Sequence, residues 1–194
     1  MRVSTIQTAT PAEEAAVIDT IVLAFAADPV CRWAWPDPHA YLAGMPGFAT
    51  AFGGAAFRHD GAHRAADFEG AALWLPPDIG PDEEAVGELV ERTVPAPLRA
   101  DLYSLIGQMG AYHPAEPHWY LPLIGVDPAR QGRGCGTALL KYALEKVDRD
   151  QLPAYLESTN PRNISLYQRH GFEILGTLQA GDSPPIVPML RKRR

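Results

Sequence analysis

The sequence has only two cysteines, Cys31 and Cys135, and they form no CxxC pattern. A disulfide framework is therefore excluded, and this cysteine usage is typical of a reducing compartment. The chain also lacks an excess of positive charge, because its formal net charge is −6. A broad nucleic-acid-binding face is not expected from such a balance.

Long apolar runs are missing as well. Residues 38–57 contain no Asp, Glu, Lys or Arg, but Pro46 and many glycines and alanines make them too weakly apolar to span a bilayer. The opening residues lack the apolar core of a signal peptide. We therefore predict a cytoplasmic protein with no membrane partner. Its 194 residues suit one sizeable α/β domain, residues 1–194, better than two domains.

Local patterns predict the elements of this domain. A strand is expected over residues 2–10, and Thr10, Pro11 and Glu13 then form the capping signature of a helix. Residues 38–57 read as a further helix, and a hairpin is predicted to turn at Asp60-Gly61. Strands and helices alternate in the C-terminal half, which favours a sheet with a parallel centre and antiparallel flanks. Pro122 lies inside an apolar strand and should disturb its pairing.

The segment "GVDPARQGRGCGTALL", residues 125–140, concentrates glycine and arginine before a helical pattern. Glycines at 132, 134 and 136 let the backbone approach a ligand closely, because no Cβ stands in the way. A helix that starts near Gly134 points free N–H groups and its positive dipole end at an anion. Arg130 and Arg133 add positive charge. The pattern therefore predicts a phosphate site rather than a turn needed only for packing.

Two common phosphate motifs do not fit this loop. The P-loop needs a lysine and a spacing that are not present, and the dinucleotide fingerprint fails at Thr137 and lies too late in the chain. The spacing that does fit is Gln131-x-x-Gly134-x-Gly136 after an apolar strand that ends at Val126. This loop resembles the pyrophosphate loop of the GCN5-related N-acetyltransferase (GNAT) superfamily, which binds acetyl-coenzyme A.

A second segment, "STNPRNISLYQRHGF", extends the resemblance. In the superfamily an asparagine near the start of this helix holds the pantetheine arm, and a later tyrosine meets the thioester sulfur. Here Asn160 stands seven residues before Tyr167, and Gly171 follows at the position expected for the helix C-terminus. Asn163 shares a helical face with Tyr167. Either asparagine is thus a candidate ligand of coenzyme A, and Asn163 is slightly favoured.

Together with "LAFAADP" and "EPHWYLPLIGV", these segments look most like the puromycin N-acetyltransferase branch. The resemblance implies a mixed, mostly antiparallel α/β sheet with a splayed central parallel pair and helices on both faces. It implies an acetyl-CoA-binding core over 117–175 and acceptor-side helices and loops over 30–115, and it allows a homodimer. The implied cofactor-binding residues are Ile124, Gly125, Val126, Gln131, Gly132, Arg133, Gly134, Cys135, Gly136, Thr137, Asn160, Asn163 and Tyr167.

The implied activity is direct acetyl transfer from acetyl-CoA to the amine of a small molecule through a tetrahedral intermediate, without a metal. Such transfer needs a base for the amine and an acid for the departing thiolate. Tyr167 suits the acid, and Glu116, Glu157 and His118 are the candidate bases. A thiol nucleophile at Cys135 is not expected, since no His–Asp pair accompanies it.

The acceptor site is expected among aromatic residues of the proline-rich segment and a neighbouring acid. These candidates are Phe25, Asp28, Trp33, Trp35 and Tyr41. His59 and His63 could pair on a metal, but a solvated turn is the better interpretation. Two other functions stay open: acetylation of a protein or peptide amine, and a non-catalytic, regulatory coenzyme A-binding module.

Overall fold

Seven strands form one sheet in the order β1-β2-β3-β4-β5-β7-β6. A computed structural model describes residues 5–194 of the chain. The strands are β1 (Ile6–Thr8), β2 (Ala62–Ala65), β3 (Gly70–Leu75), β4 (Trp119–Val126), β5 (Ala154–Ser158), β6 (Glu173–Ile174) and β7 (Val187–Arg191). Only β4 and β5 pair in parallel, while all the other neighbouring strands are antiparallel.

Helices cover both faces of the sheet. They are α1 (Glu14–Phe25), α2 (Pro29–Ala34), α3 (Pro38–Gly53), α4 (Glu83–Thr93), α5 (Ala96–Tyr112), α6 (Cys135–Arg149) and α7 (Ile164–Arg169). Strand β3 shows why two layers form, because all its residues are buried. Leu73 and Leu75 belong to the cluster under α1 and α3, whereas Ala72 and Trp74 belong to the cluster under α6. Because successive side chains of a strand point to opposite faces of the sheet, β3 contributes to one core on each face.

The predicted fold class is confirmed, including the helices on both faces. The capping signature at Thr10 is present, since the Glu13 carboxylate accepts a hydrogen bond from Thr10 N at 2.9 Å. The predicted helix over 38–57 forms α3 and a 3₁₀ turn, Gly54–Arg58. Of the strand predicted over 2–10, the structure shows Ile6–Thr8, and residues 1–4 lie outside the described part. None of the helices within residues 5–194 is long and apolar enough to cross a membrane.

The hairpin predicted at Asp60-Gly61 is wrong. The 3₁₀ turn Gly54–Arg58 precedes this position, so no strand leads into it, and β2 pairs instead with β1 and β3. Asp60 adopts a φ of 51°, and Gly61 N donates to Ala56 O at 2.9 Å. The Asp-Gly signal therefore marks a tight helix-to-strand turn, which uses the same left-handed backbone as a hairpin.

Candidate active site

The two central strands separate beyond Leu121. The ladder between β4 and β5 joins Trp119–Leu121 to 154–156, and no further pair joins these strands in the described chain. Against β3, Leu73 is opposite Leu123 and Leu75 is opposite Tyr120, so β4 contains one extra residue. Pro122 lies in this bulge, where its missing N–H costs no ladder bond. The predicted disturbance of the strand is confirmed, and it opens a wedge between the strands.

The glycine loop closes one end of this wedge. Gly132 and Gly134 adopt φ of 74° and 88°, a left-handed backbone that residues with a Cβ rarely adopt. A Cβ built on Gly132 would meet nothing within 4 Å, so the loop borders open space there. Helix α6 starts at Cys135 and runs for 15 residues, which directs its N-terminal N–H groups toward that space.

The second motif meets the loop from the other side. Asn160 caps its helix, because its side chain accepts a hydrogen bond from Arg162 N at 3.1 Å, whereas Asn163 is exposed. Tyr167 is 5% exposed, and within residues 5–194 no group hydrogen-bonds its hydroxyl. Burial, followed by the charge of Asp28, raises the pKa of Tyr167 well above its usual value. The phenol therefore keeps its proton throughout the neutral range.

Both motifs line one cavity of about 810 Å³. Its first end is formed by the glycine loop and the start of α6, and three arginines, Arg130, Arg162 and Arg169, contribute to it. A Cβ on Gly136 would lie 3.4 Å from Leu166 Cδ2, which shows how closely α6 and the second motif approach. The bare backbone, the helix terminus and the arginines together suit a polyphosphate.

The opposite end of the cavity is apolar and holds two buried acids. Asp28 is 6% exposed and accepts hydrogen bonds from Val30 N, Cys31 N and Thr159 Oγ1, the last at 2.6 Å. Burial raises the pKa of Asp28, although these hydrogen bonds act in the opposite direction. The Glu157 side chain is 3% exposed, and its Oε2 accepts a hydrogen bond from Tyr120 at 2.8 Å.

Most of the predicted site residues lie together on this cavity. It is lined by Phe25, Asp28, Trp35, Ile124, Gly125, Val126, Gln131, Gly132, Gly134, Cys135, Gly136, Thr137, Glu157, Asn160, Asn163 and Tyr167. The glycine loop and the Asn163/Tyr167 pair thus converge, as the two motifs predict.

Five predicted site residues lie outside the cavity wall: Trp33, Tyr41, Glu116, His118 and Arg133. Tyr41 is buried, and its hydroxyl donates to Val22 O at 2.5 Å. Trp33 packs on the apolar cluster around Leu105. Glu116 is exposed, while His118 is half-buried behind the cavity. Arg133 is exposed on the loop.

Several cavity residues were not predicted from the sequence. Arg162 and Arg169 lie within the second motif, and their only sequence signal is that position. The apolar part of the cavity wall includes Phe48, Phe52, Leu102, Leu105, Ile106 and Met109. The apolar residues of α5 recur at helical spacing, but spacing alone does not separate a cavity wall from a core face.

Comparisons with known proteins agree with this geometry. The family model described as "Acetyltransferase (GNAT) family" matches residues 73–172. An acetyltransferase of Agrobacterium fabrum is 30% identical over 129 residues, which are 66% of this chain and 93% of that protein.

Two solved structures share the fold. The Corynebacterium glutamicum structure described as histone acetyltransferase HPA2 and related acetyltransferase has a TM-score of 0.72 and 25% identity, and the match covers 100% of this chain and 98% of that one. Arylalkylamine N-acetyltransferase 2 from Aedes aegypti has a TM-score of 0.67 at 13% identity, covering 97% of this chain and 98% of that one. The second likeness is one of fold alone.

Proposed function

This chain belongs to the acetyltransferase (GNAT) family, and on that premise we propose that it moves the acetyl group of acetyl-CoA to the amine of a small, largely apolar molecule. The observation that carries the proposal is the single cavity, which joins a phosphate-binding end to an apolar end with buried acids. Enzymes of this kind need both ends, because the cosubstrate and the acceptor have to meet at one thioester.

The cofactor end fits coenzyme A by the chemistry of its donors. Backbone N–H groups of the glycine loop, with Arg130 and Arg162, suit the pyrophosphate. Asn163 is the better candidate for the pantetheine amides, because Asn160 is already engaged as a cap. The unpaired edge of β4 beyond Leu121 offers further backbone groups. When bound, acetyl-CoA supplies an activated acetyl group and a thiolate leaving group.

The acceptor end favours an apolar amine with one positive charge. Its wall is built mainly from aromatic and aliphatic side chains, and Phe48 and Phe52 stack with ring centroids 4.9 Å apart. Asp28 already accepts three hydrogen bonds, which leaves Glu157 as the acid for an incoming ammonium group. A second cationic group, as in a polyamine, would have to be desolvated against apolar walls, which is costly.

Glu157 and Tyr167 are the proposed catalytic residues. Of the three candidate bases only Glu157 lines the cavity, so it is the one that can accept the proton of the amine. The Tyr167 phenol retains its proton and can donate it to the departing thiolate. Backbone N–H groups within residues 124–126 that face away from β3 suit the oxyanion that develops on the acetyl carbonyl. Transfer is direct, with no acyl group on the protein.

A thiol-release assay over a panel of amines tests this function. The panel contains phenyl- and indolylalkylamines, aminonucleosides including puromycin, polyamines, and peptides with free amines. We expect turnover with apolar monoamines or aminonucleosides, and little with polyamines or peptides. A preference for peptides would show that the acceptor is a peptide rather than a small molecule. Absence of acetyl-CoA binding in calorimetry would refute the cofactor assignment.

A matched pair of variants locates the acceptor. Phe52→Leu changes the cavity wall and should raise KM for the best amine several-fold, while Tyr103→Leu changes an exposed aromatic residue of α5 and should leave KM unchanged. Equal KM values in both variants would place the acceptor elsewhere. The puromycin branch, the cytoplasmic location and the homodimer stay predictions.

A further inference from the structure

Behind the Glu157 carboxylate lies a chain of two histidines. His113 follows α5, and its Nε2 is 3.4 Å from Glu157 Oε1. His113 Nδ1 is 3.2 Å from His118 Nε2, and His118 Nδ1 is 2.9 Å from the backbone oxygen of Glu116. From this geometry we infer that Glu157, His113 and His118 form a proton relay, in which His113 and Glu157 hold one proton between them.

The backbone carbonyl at the end of the chain determines where the protons lie. A carbonyl oxygen only accepts hydrogen bonds, so His118 Nδ1 carries a proton and donates it to Glu116 O. In neutral His118 the Nε2 atom is then an acceptor, and the contact at 3.2 Å requires a proton on His113 Nδ1. A neutral His113 would consequently turn the bare lone pair of its Nε2 toward Glu157.

That lone pair would face a carboxylate oxygen. Glu157 Oε1 is buried, and no hydrogen bond of good geometry reaches it from residues 5–194. Two electron-rich atoms 3.4 Å apart in a buried site repel each other. A proton on His113 Nε2 removes this repulsion and leaves Glu157 a carboxylate that can act as the base.

The same number of protons also allows a second arrangement. If the proton moves outward, His118 becomes the cation, His113 carries its proton on Nε2, and Glu157 is a carboxylate. Burial lowers the pKa of His118, so this ring holds the cation only briefly and releases a proton to solvent. His118 is half-buried and His113 keeps 29% of its side chain exposed, which gives the chain an outlet to water.

His118 is the basic side chain in contact with His113, and burial lowers its pKa, which favours its neutral form. The titratable groups that face it or its partners are Tyr112, Glu116, His118, Tyr120, Tyr155 and Glu157. Burial raises the pKa of Tyr120 well above its usual value, so its phenol remains a neutral donor to Glu157. The rings of Tyr120 and Tyr155 flank His113 with centroids 4.6 Å and 4.4 Å away.

In the proposed acetyl transfer, the relay carries away the proton that Glu157 takes from the amine, and this role rests on the proposed function. The N–H bond of the acceptor ammonium breaks, and an O–H bond forms on Glu157. His113 passes its Nδ1 proton to His118 Nε2, and one proton leaves His118 for water. One proton enters at the cavity and one leaves at the surface, so the net charge of the chain is restored. Exchange of protons with water then returns Glu157 to the carboxylate and the two rings to their starting tautomers. Glu157 is the catalytic residue, and both histidines are positioning residues.

Nitrogen-15 NMR of the histidine rings in the free protein tests the relay without any turnover. At pH 7 we expect His118 to be neutral with its proton on Nδ1, and His113 to carry protons on both Nδ1 and Nε2. A His113 ring with a bare Nε2, or a His118 ring protonated on Nε2 alone, would overturn the inference. This result is independent of whether any amine has been found to be a substrate.

Kinetics of two variants supply the second test. His113→Gln retains a hydrogen-bonding group but cannot relay protons, and should lower kcat/KM about 10²-fold at pH 7. The deficit should shrink as the pH approaches the amine pKa near 10, where the acceptor loses its proton unaided. His39→Gln, on the exposed start of α3, is the control and should change nothing. A His113→Gln variant as active as the control at pH 7 would refute the relay.

Two variants of His118 test whether it determines the tautomer of His113. His118→Gln still offers an oxygen to His113 Nδ1 and should preserve the His113 ring signals, but it cannot pass a proton on and should lower kcat. His118→Phe removes that acceptor, and should shift the His113 signals and lower kcat with little change in KM. Calorimetry with coenzyme A should give the same affinity for all variants. Identical His113 signals in the two His118 variants would remove His118 from the relay.

Discussion

Asp28 should be among the most costly single polar side chains to remove from the cavity wall. It caps α2 through Val30 N and Cys31 N, at 3.0 and 3.1 Å, and it also holds Thr159, which lies 131 residues away in sequence. Loss of such a cap costs about 1 kcal/mol, and each buried donor left without a partner costs about 1–3 kcal/mol. Asp28→Ala should therefore lower the free energy of unfolding by about 2–4 kcal/mol.

Urea denaturation followed by tryptophan fluorescence measures this loss. With a slope of about 2 kcal/mol per molar urea, the midpoint should fall by about 1.5 M. Asp37→Ala is the matched control, because Asp37 caps α3 through a single hydrogen bond to Ala40 N and is exposed. It should cost only about 1 kcal/mol. Equal losses in the two variants would refute the role of the buried cap.

The pH dependence of Asp28→Asn tests the same carboxylate further. Burial raises the pKa of Asp28, so the folded state favours the protonated form of this group. The stabilisation from that preference is complete below the unfolded pKa near 3.9 and is lost as the pH rises through the folded pKa. The stability of Asp28→Asn relative to the unsubstituted protein should therefore improve from pH 4 to pH 7. A difference that stays constant over this range would contradict the reasoning.

Three further predictions concern single side chains. Tyr167→Phe should lower kcat about 10²-fold and leave the calorimetric affinity for coenzyme A unchanged, and an unchanged kcat would remove Tyr167 from the mechanism. Gly132→Ala forces a Cβ onto a φ of 74° and should cost about 1–2 kcal/mol of stability and weaken coenzyme A binding, whereas Gly80→Ala, in open space at ordinary φ, should do neither. Burial lowers the pKa of His63 to about 4, so its contribution to stability is lost as the pH falls from 6.5 toward 4. In urea denaturation, His63→Phe should lack this loss of stability at acid pH. If its free energy of unfolding falls between pH 6.5 and pH 4 as steeply as that of the unsubstituted protein, His63 is not the group responsible.

The cofactor end could be predicted from the sequence because its signals are local. The left-handed turns at Gly132 and Gly134, the start of α6 and the cap at Asn160 each depend on residues within a few positions. Pro122 likewise indicates a disturbed strand by itself. Short-range rules therefore locate these features, and the fold brings them together.

The acceptor end was predicted less well, because its residues meet only through tertiary packing. The aromatic segment suggested Trp33 and Tyr41 alongside Trp35, but only Trp35 reaches the cavity. Composition cannot show which side of a short helix faces the cavity. Phe52 lay in a helix recognised mainly by its small residues, and nothing in its spacing indicated a ligand.

His113 shows the same limit for chemistry. It stands five residues from His118, and nothing in the sequence connects it with Glu157, 44 positions further on. The contact depends on the parallel pairing that sets Tyr120 beside Tyr155, and therefore brings the segment before β4 toward β5. Long-range register, rather than any motif, places an imidazole behind the carboxylate.

The separation of β4 and β5 connects the two ends of the cavity. Where the strands pair, at 119–121, the space between them is closed, and the side chains of Tyr120 and Tyr155 enclose the relay. One residue further along, at Pro122 and the bulge, β4 stops pairing with β5. The edge of β4 left without a partner then faces the wedge that leads to the glycine loop. A continuous ladder would satisfy that edge and close the space beside Glu157. The same irregularity thus exposes backbone groups to the cosubstrate and leaves one face of the buried carboxylate open to the amine.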